Sequence, residues 1–162
     1  MAIKAGDRLP AELKLKEMGD SGPKDVTVGE IFGGKKVVLF AVPGAFTPTC
    51  SMKHLPGFVE KAADIKSKGV DEVVCLSVND AFVMGAWSRD QKAGGKIRFM
   101  ADGSAEYSKK LGLTLDLTAR GMGIRANRYS MLVDDGVVKT LNVEAPGKFE
   151  VSGGDTMLKQ VA

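Results

Sequence analysis

The chain has little of what many chemistries require. In 162 residues there are two cysteines, Cys50 and Cys75, a single histidine, His54, one tryptophan and two tyrosines. A disulfide-stapled secreted domain is smaller and denser in cysteine. A tetrahedral zinc centre takes about four thiolate or imidazole ligands, which three such residues do not supply, so no metal and no other cofactor is expected. No apolar run approaches the ~20 residues that span a bilayer, so no membrane partner is expected. The 23 basic and 20 acidic residues are interspersed. Lys35-Lys36 and Lys109-Lys110 are too short to be the basic stripe of a nucleic-acid binder. The N-terminus, Met1-Ala2-Ile3-Lys4, carries neither an apolar signal core nor an Arg-rich amphipathic stretch, and the chain reads as cytoplasmic. Its length and its 44% apolar, 27% charged composition fit one compact domain over 1–162. Two thiols in such a chain are either inert core residues or redox groups.

What is present is alternation. The first thirty residues are polar and Gly-rich, with one short apolar pattern at Leu13-Lys14-Leu15. Val37 to Val42 is a continuous apolar run rich in β-branched residues and ends at Pro43-Gly44, as a buried strand does. A loop, Pro43 to Thr49, precedes a helix whose apolar face is Leu55, Phe58, Val59 and Ala62 and which stops at Lys68-Gly69. Val73 to Val78 is a second strand. Ala81 to Gln91 reads as a helix with Asp80 as its N-cap. Ile97 to Met100 is a third strand and Ala105 to Leu111 a short helix. Leu113 to Asn127 reads as irregular. Tyr129–Val133, the turn Asp134-Asp135-Gly136 and Val137–Val143 form a hairpin, and a helix near Asp155–Val161 closes the chain. The order β-α-β-α-β-α-β-β-α implies an α/β protein with a central mixed β-sheet flanked by helices on both faces. That arrangement suits a thioredoxin-like fold with an insertion between its halves.

Three patterns imitate functional motifs. Gly29-Glu30-Ile31-Phe32-Gly33-Gly34-Lys35-Lys36 nearly matches a phosphate-binding P-loop. It ends in Lys36 where Ser or Thr would hold magnesium, and it leads into a strand instead of following one, so it reads as a turn. Gly121-Met122-Gly123-Ile124-Arg125-Ala126 has the letters of a dinucleotide fingerprint, but no helix follows to receive a pyrophosphate. Cys50 and His54 stand one helical turn apart, as a hydrolase nucleophile and base would. No third orienting group and no oxyanion loop accompany them, and the simpler reading is that His54 lines the same helix edge.

The segment that carries chemistry is Val42-Pro43-Gly44-Ala45-Phe46-Thr47-Pro48-Thr49-Cys50. A buried strand ends, a loop turns and a helix begins at or near Cys50, which brings the sulfur to unpaired backbone N–H groups and the positive end of a helix dipole. Such a setting stabilises a thiolate. Thr47 can turn its hydroxyl toward the sulfur or a bound oxygen, and Pro43 offers a rigid apolar wall. An arginine would add a fixed cation with several donors. Arg120, Arg125 and Arg128 all lie on or beside the segment leading into Tyr129–Val133, and spacing does not choose among them.

Pro43-x-x-x-Thr47-x-x-Cys50 resembles the active-site signature of the peroxiredoxins. The wider run to His54-Leu55-Pro56-Gly57-Phe58, with Cys75 to Val83 and Arg128-Tyr129-Ser130-Met131, is similar to the type II, or peroxiredoxin-5, subgroup. The resemblance covers essentially the whole chain. It implies a thiol-dependent peroxidase of hydrogen peroxide and alkyl hydroperoxides, serving redox homeostasis and antioxidant defence. Cys50 would be the peroxidatic cysteine, with Pro43, Thr47 and Arg128 as its partners, so the resemblance selects Arg128 among the three arginines. It also implies a homodimer with Phe46, Phe82 and Val83 near the interface; ordinary core packing is the competing expectation for Phe46 and Phe82.

Oxidised Cys50 would be a sulfenic acid that some thiol must reduce. Position 53 is Lys53, so there is no C-x-x-C pair. Cys75 sits mid-strand, where a free cysteine is usually a buried hydrophobe. Some family members carry a resolving cysteine in the C-terminal part of the chain, and Val143 to Ser152 has none. The expectation is a one-cysteine cycle regenerated by glutathione with glutaredoxin or by thioredoxin. The alternatives are a Cys50–Cys75 disulfide and, as a function, a peroxide-sensing redox switch using the same Cys50.

Overall fold

A computed structural model describes residues 2–162; Met1, part of the N-terminal stretch read above, lies outside the described residues. Strands β1 (Lys14–Gly19) and β2 (Gly22–Thr27) are followed by helix α1 (Val28–Phe32) and strand β3 (Lys36–Val42). A π-helical turn, Cys50–His54, runs into α2 (Leu55–Lys66); then come β4 (Glu72–Ser77), α3 (Ala81–Asp90), β5 (Arg98–Ala101) and α4 (Glu106–Leu111). Strand β6 (Thr114–Leu117), a 3₁₀ turn at Thr118–Arg120, β7 (Gly123–Ala126), β8 (Tyr129–Asp134), β9 (Val137–Val143) and α5 (Gly154–Val161) complete the chain. Seven strands form one mixed sheet in the order β2-β1-β5-β4-β3-β8-β9, and β6-β7 is a separate two-stranded hairpin. At the centre β3, β4 and β5 are parallel, while β8 joins β3 and β1 joins β5 antiparallel. The fold is α/β and thioredoxin-like, as the alternation of elements implies.

The apolar run in β3 is continuous because both of its faces are covered. Val37, Leu39 and Ala41 enter a core with Ile31 and Phe32 of α1 and Tyr107 and Leu111 of α4. Val38, Phe40 and Val42 enter a second core with Leu55, Phe58 and Ile65 of α2, Trp87 of α3 and Met157 of α5. Asp80 caps α3 as expected, its Oδ1 accepting from Val83 N at 2.8 Å.

Three expectations change. The polar N-terminal segment is an ordered antiparallel hairpin, paired from Lys14↔Thr27 to Gly19↔Gly22. It buries Leu15 and Val26 and leaves Lys14, Lys16, Lys24 and Asp25 outside, while Glu17 is part-buried against Arg98. Few apolar residues suffice there because only one face is covered, and Pro23 is tolerated on an edge strand. The P-loop look-alike begins inside α1, whose capping box pairs Thr27 with Glu30, and ends in a turn into β3. The segment read as irregular contains the β6–β7 hairpin, with Leu115 opposite Arg125 and Leu117 opposite Gly123. Its strands have four residues each, too short for the Thr-Leu-Asp-Leu alternation to stand out among the glycines.

Candidate active site

The carboxyl end of β3 delivers the loop that begins at Pro43. Asn79, just after β4, holds this loop: its Oδ1 accepts from Ala45 N at 3.0 Å and from Ser77 Oγ at 2.6 Å. Phe46 takes a left-handed backbone, φ +62°, which a bulky residue adopts only under constraint. The helix then starts at Pro48, so Cys50 lies in its first turn. This turn is wide, with Leu55 N donating to Cys50 O five residues back. Pro56 follows directly; it has no N–H for an α-helical ladder and its ring would crowd the carbonyl four residues earlier. Single π turns of this kind concentrate at functional sites. Trp87 Nε1 donates to Ser51 Oγ at 3.0 Å and anchors the turn from α3.

Around the sulfur the structure separates the three arginines. Arg128 Nη2 donates to Cys50 Sγ at 3.2 Å, and both residues are buried. Arg125 instead bridges two loops, through Nε to Met122 O at 2.8 Å and Nη1 to Pro43 O at 3.4 Å. A Cβ on Gly44 would come within 3.0 Å of that Arg125 guanidinium, so this position is kept free of a side chain. Arg120 lines the groove described below, away from any contact with the sulfur.

His54 is not aimed at the thiol. Its Nδ1 is 2.9 Å from Arg128 Nη1 and its Nε2 is 2.8 Å from Ser152 O. Arginine only donates and a carbonyl only accepts. The imidazole is therefore neutral, with its proton on Nε2. Burial and then the Arg128 charge push its pKa down to about 3, against the pull of the Ser152 carbonyl. A base with that affinity for protons does not serve a hydrolase at neutral pH. Ser152 is held in turn by Glu144, whose carboxylate accepts from the backbone N–H groups of Glu150, Val151 and Ser152 and from Ser152 Oγ. Burial raises the Glu144 pKa, but these hydrogen bonds outweigh it and hold the carboxyl below the usual glutamate range.

Pro43, Thr47 and Arg128 line a groove of about 730 Å³ together with Leu115, Met122 and Phe149. Thr47 differs from expectation in one respect. Its hydroxyl donates to Gly44 O at 2.6 Å, and a carbonyl cannot donate back, so the oxygen offers an incoming molecule its lone pairs and not its proton. Cys75 is fully buried in β4, and burial pushes its thiol well above the ordinary range, with the neighbouring Cys50 adding to the effect. Both cysteines are free thiols. Phe46 and Phe82, for which core packing competed, are 53% and 66% exposed. Val83 packs part-buried against the second core. Among the described residues no cluster suited to a metal ion is present, and no helix is long and apolar enough to cross a membrane.

A cation fixed against a thiol stabilises the thiolate, and oriented donors beside it can receive charge on a departing oxygen. The residues this required were visible in sequence except for those behind Arg128. His54 stands out in sequence through its spacing from Cys50 and its place in the run that resembles the family, and neither gives it a contact with Arg128. Glu144 and Ser152 carried no sequence signal, because their contacts depend on how a surface loop folds back.

Redoxin, the family model that matches this chain, covers residues 4–158. The chain is 50% identical over 161 residues to the chloroplastic peroxiredoxin-2E of Arabidopsis thaliana, covering 98% of this chain and 69% of that protein. It is 51% identical to the reduced Prx3 of Vibrio vulnificus solved in complex with H2O2, with a TM-score of 0.94 and 99% of each chain covered. Peroxiredoxin 5 from Alvinella pompejana is 33% identical, with a TM-score of 0.86 over 98% of this chain and 97% of that one. Sharing half its residues, over nearly its full length, with proteins of this kind, the chain belongs to the redoxin family as a type II peroxiredoxin, a thiol peroxidase.

Proposed function

We propose that Cys50 is the peroxidatic nucleophile of this thiol peroxidase, with Arg128, Thr47 and Pro43 as its partners. The observation that carries the reading is the 3.2 Å contact from Arg128 Nη2 to Cys50 Sγ. The thiolate attacks one oxygen of ROOH in line with the O–O bond. An S–O bond forms, the O–O bond breaks, and the electron pair leaves on the second oxygen, which takes a proton to become ROH. Arg128 donates to the charge developing on that oxygen, and such fixed donors need no reorganisation. Thr47 accepts the O–H of the hydroperoxide and so sets which oxygen faces the sulfur. Pro43 walls the groove, in which the alkyl portion rests. Cys50 is left as a sulfenic acid.

Regeneration in this reading uses external thiol. One thiol attacks the sulfenic sulfur and releases water, and a second attacks the mixed disulfide and restores Cys50. The burial and raised pKa of Cys75 support a one-cysteine cycle. Glutathione with glutaredoxin, or thioredoxin, supplies the electrons. Coupled NADPH consumption with each system tests this. Sustained turnover with at least one is expected; a single oxidation of Cys50 without turnover in any would favour a peroxide sensor instead.

A second copy of the chain is the proposed partner. Phe46 and Phe82 are exposed just past the carboxyl ends of the neighbouring parallel strands β3 and β4, and exposed aromatics grouped at one edge favour association. The protein is read as cytoplasmic, in a compartment that keeps thiols reduced. Cell fractionation tests that placement, and recovery in an organelle or in the medium contradicts it.

A further inference from the structure

We infer that His54 is a positioning residue, a neutral hydrogen-bond acceptor that orients the Arg128 guanidinium toward Cys50 without quenching its charge. The inference rests on the reading of Arg128 as the partner of Cys50. A buried arginine has five N–H groups to satisfy and needs an acceptor to fix its plane. A carboxylate in that place would draw the guanidinium into an ion pair and cancel much of the positive field at the sulfur. An imidazole that accepts at Nδ1 fixes Nη1 at 2.9 Å and leaves Nη2 directed at Sγ at 3.2 Å, with the full charge available to a thiolate.

The imidazole itself is held on every side. Its ring lies 5.0 Å from Phe40, 5.6 Å from Phe58 and 4.9 Å from Phe149 between centroids. Its Nε2 proton goes to Ser152 O, and Glu144 fixes Ser152 through both its backbone N–H and its hydroxyl. The guanidinium also stands over the Phe149 ring, 5.8 Å from the centroid. A line of contacts thus runs from Glu144 through Ser152 and His54 to Arg128, and ends at the sulfur.

The test replaces His54 by Phe, which suits the aromatic surroundings but accepts nothing, and by Gln, whose amide has one acceptor and one donor to serve Arg128 and Ser152. Two readouts are taken on each: the second-order rate constant for hydrogen peroxide, and the rate of iodoacetamide alkylation of Cys50 at pH 7. His54→Phe is expected to lower the peroxide rate constant about tenfold or more, as misplaced reacting groups do, with alkylation slowing in parallel. His54→Gln is expected to recover most of both. A purely structural role would instead lower thermal stability in both variants and separate neither rate. Arg128→Gln and the double variant complete the cycle, the double variant being expected to match Arg128→Gln alone. If His54→Phe does not fold, His54→Leu takes its place. Wild-type rates in the folded apolar variant, or a double variant slowed by the product of the two single effects, overturn the inference while Arg128 stands. A wild-type peroxide rate in Arg128→Gln overturns the reading of Arg128 and this inference with it.

Discussion

Arg128 reaches Cys50 from the position just before β8, the strand that runs antiparallel to the one leading toward Cys50, across a contact of 3.2 Å. The register explains the meeting. Ala41 of β3 pairs with Tyr129 of β8, so the residue before β8 lies beside the loop that leaves β3. If this contact stabilises the reacting charges, Arg128→Gln should lower the peroxide rate constant by about 10²–10³-fold, or ~3–4 kcal/mol. Stopped-flow consumption of hydrogen peroxide measures it, and an unchanged rate removes Arg128 from the mechanism.

Thr47 gives a finer prediction because its proton is committed to Gly44 O. Thr47→Ser keeps the hydroxyl and should retain most activity. Thr47→Val removes both the loop contact and the acceptor, and a lost hydrogen bond of ~1–1.5 kcal/mol corresponds to about a tenfold slower peroxide step. Equal rates in the two variants would show that the hydroxyl has no part in binding the hydroperoxide.

Cys75→Ala should leave coupled turnover unchanged, since the buried Cys75 has no step in a one-cysteine cycle. The observable cost is stability, on the order of 1 kcal/mol for a small buried group removed from the core. Loss of turnover with the fold intact, or a Cys50–Cys75 disulfide in most molecules after one equivalent of peroxide, would replace the external thiol with Cys75.

Acid stability follows from His54. In the unfolded chain a histidine protonates near pH 6.5, whereas folded His54 resists protonation until about pH 3. Between these values the unfolded state binds more protons, so stability is complete above pH 6.5 and falls as the pH drops. By pH 5 the loss amounts to about 2 kcal/mol, from 1.36 kcal/mol for each unit of difference. Glu144, held below the ordinary glutamate range, adds a loss of the same sign further into acid. Urea midpoints from pH 7 to pH 4 should fall less steeply in His54→Phe than in wild type. Parallel curves would mean that His54 takes up its proton in the folded protein as readily as in the unfolded chain.

The exposed aromatics make a separate prediction about association. Phe82→Glu places a charge at an edge where Phe82 is 66% exposed, and sedimentation should show the proposed dimer shifted toward monomer. An unchanged dimer would move the interface elsewhere.

The central elements were legible because their burial is recorded in local pattern. The Val37–Val42 run marked β3, the Asp80 cap marked α3, and the hairpin β8–β9 was announced by Asp134-Asp135-Gly136. The N-terminal hairpin was not legible, because Leu15 and Val26 cover one face with little apolar material. The choice of Arg128 over Arg120 and Arg125 came from family resemblance, since it depends on the pairing of β3 with β8, a contact between residues about ninety positions apart. The linkage of Glu144, Ser152 and His54 was silent because Ser152 meets His54 from 98 positions away and the return of the chain from Glu144 to Ser152 follows no regular element. Each of its hydrogen bonds is set by a loop returning over the sheet, and none by neighbours in sequence.

Of the two cysteines, Cys50 is the one that reacts with peroxide in this mechanism. The direct measurement is peroxide consumption by wild type, Cys50→Ser and Cys75→Ala, with mass spectrometry of each protein after one equivalent of hydrogen peroxide in the presence of a sulfenic-acid trap. A trapped adduct is expected on Cys50 in wild type and in Cys75→Ala, with neither adduct nor consumption in Cys50→Ser. Peroxide consumption retained by Cys50→Ser, or an adduct on Cys75 in wild type, would contradict that assignment.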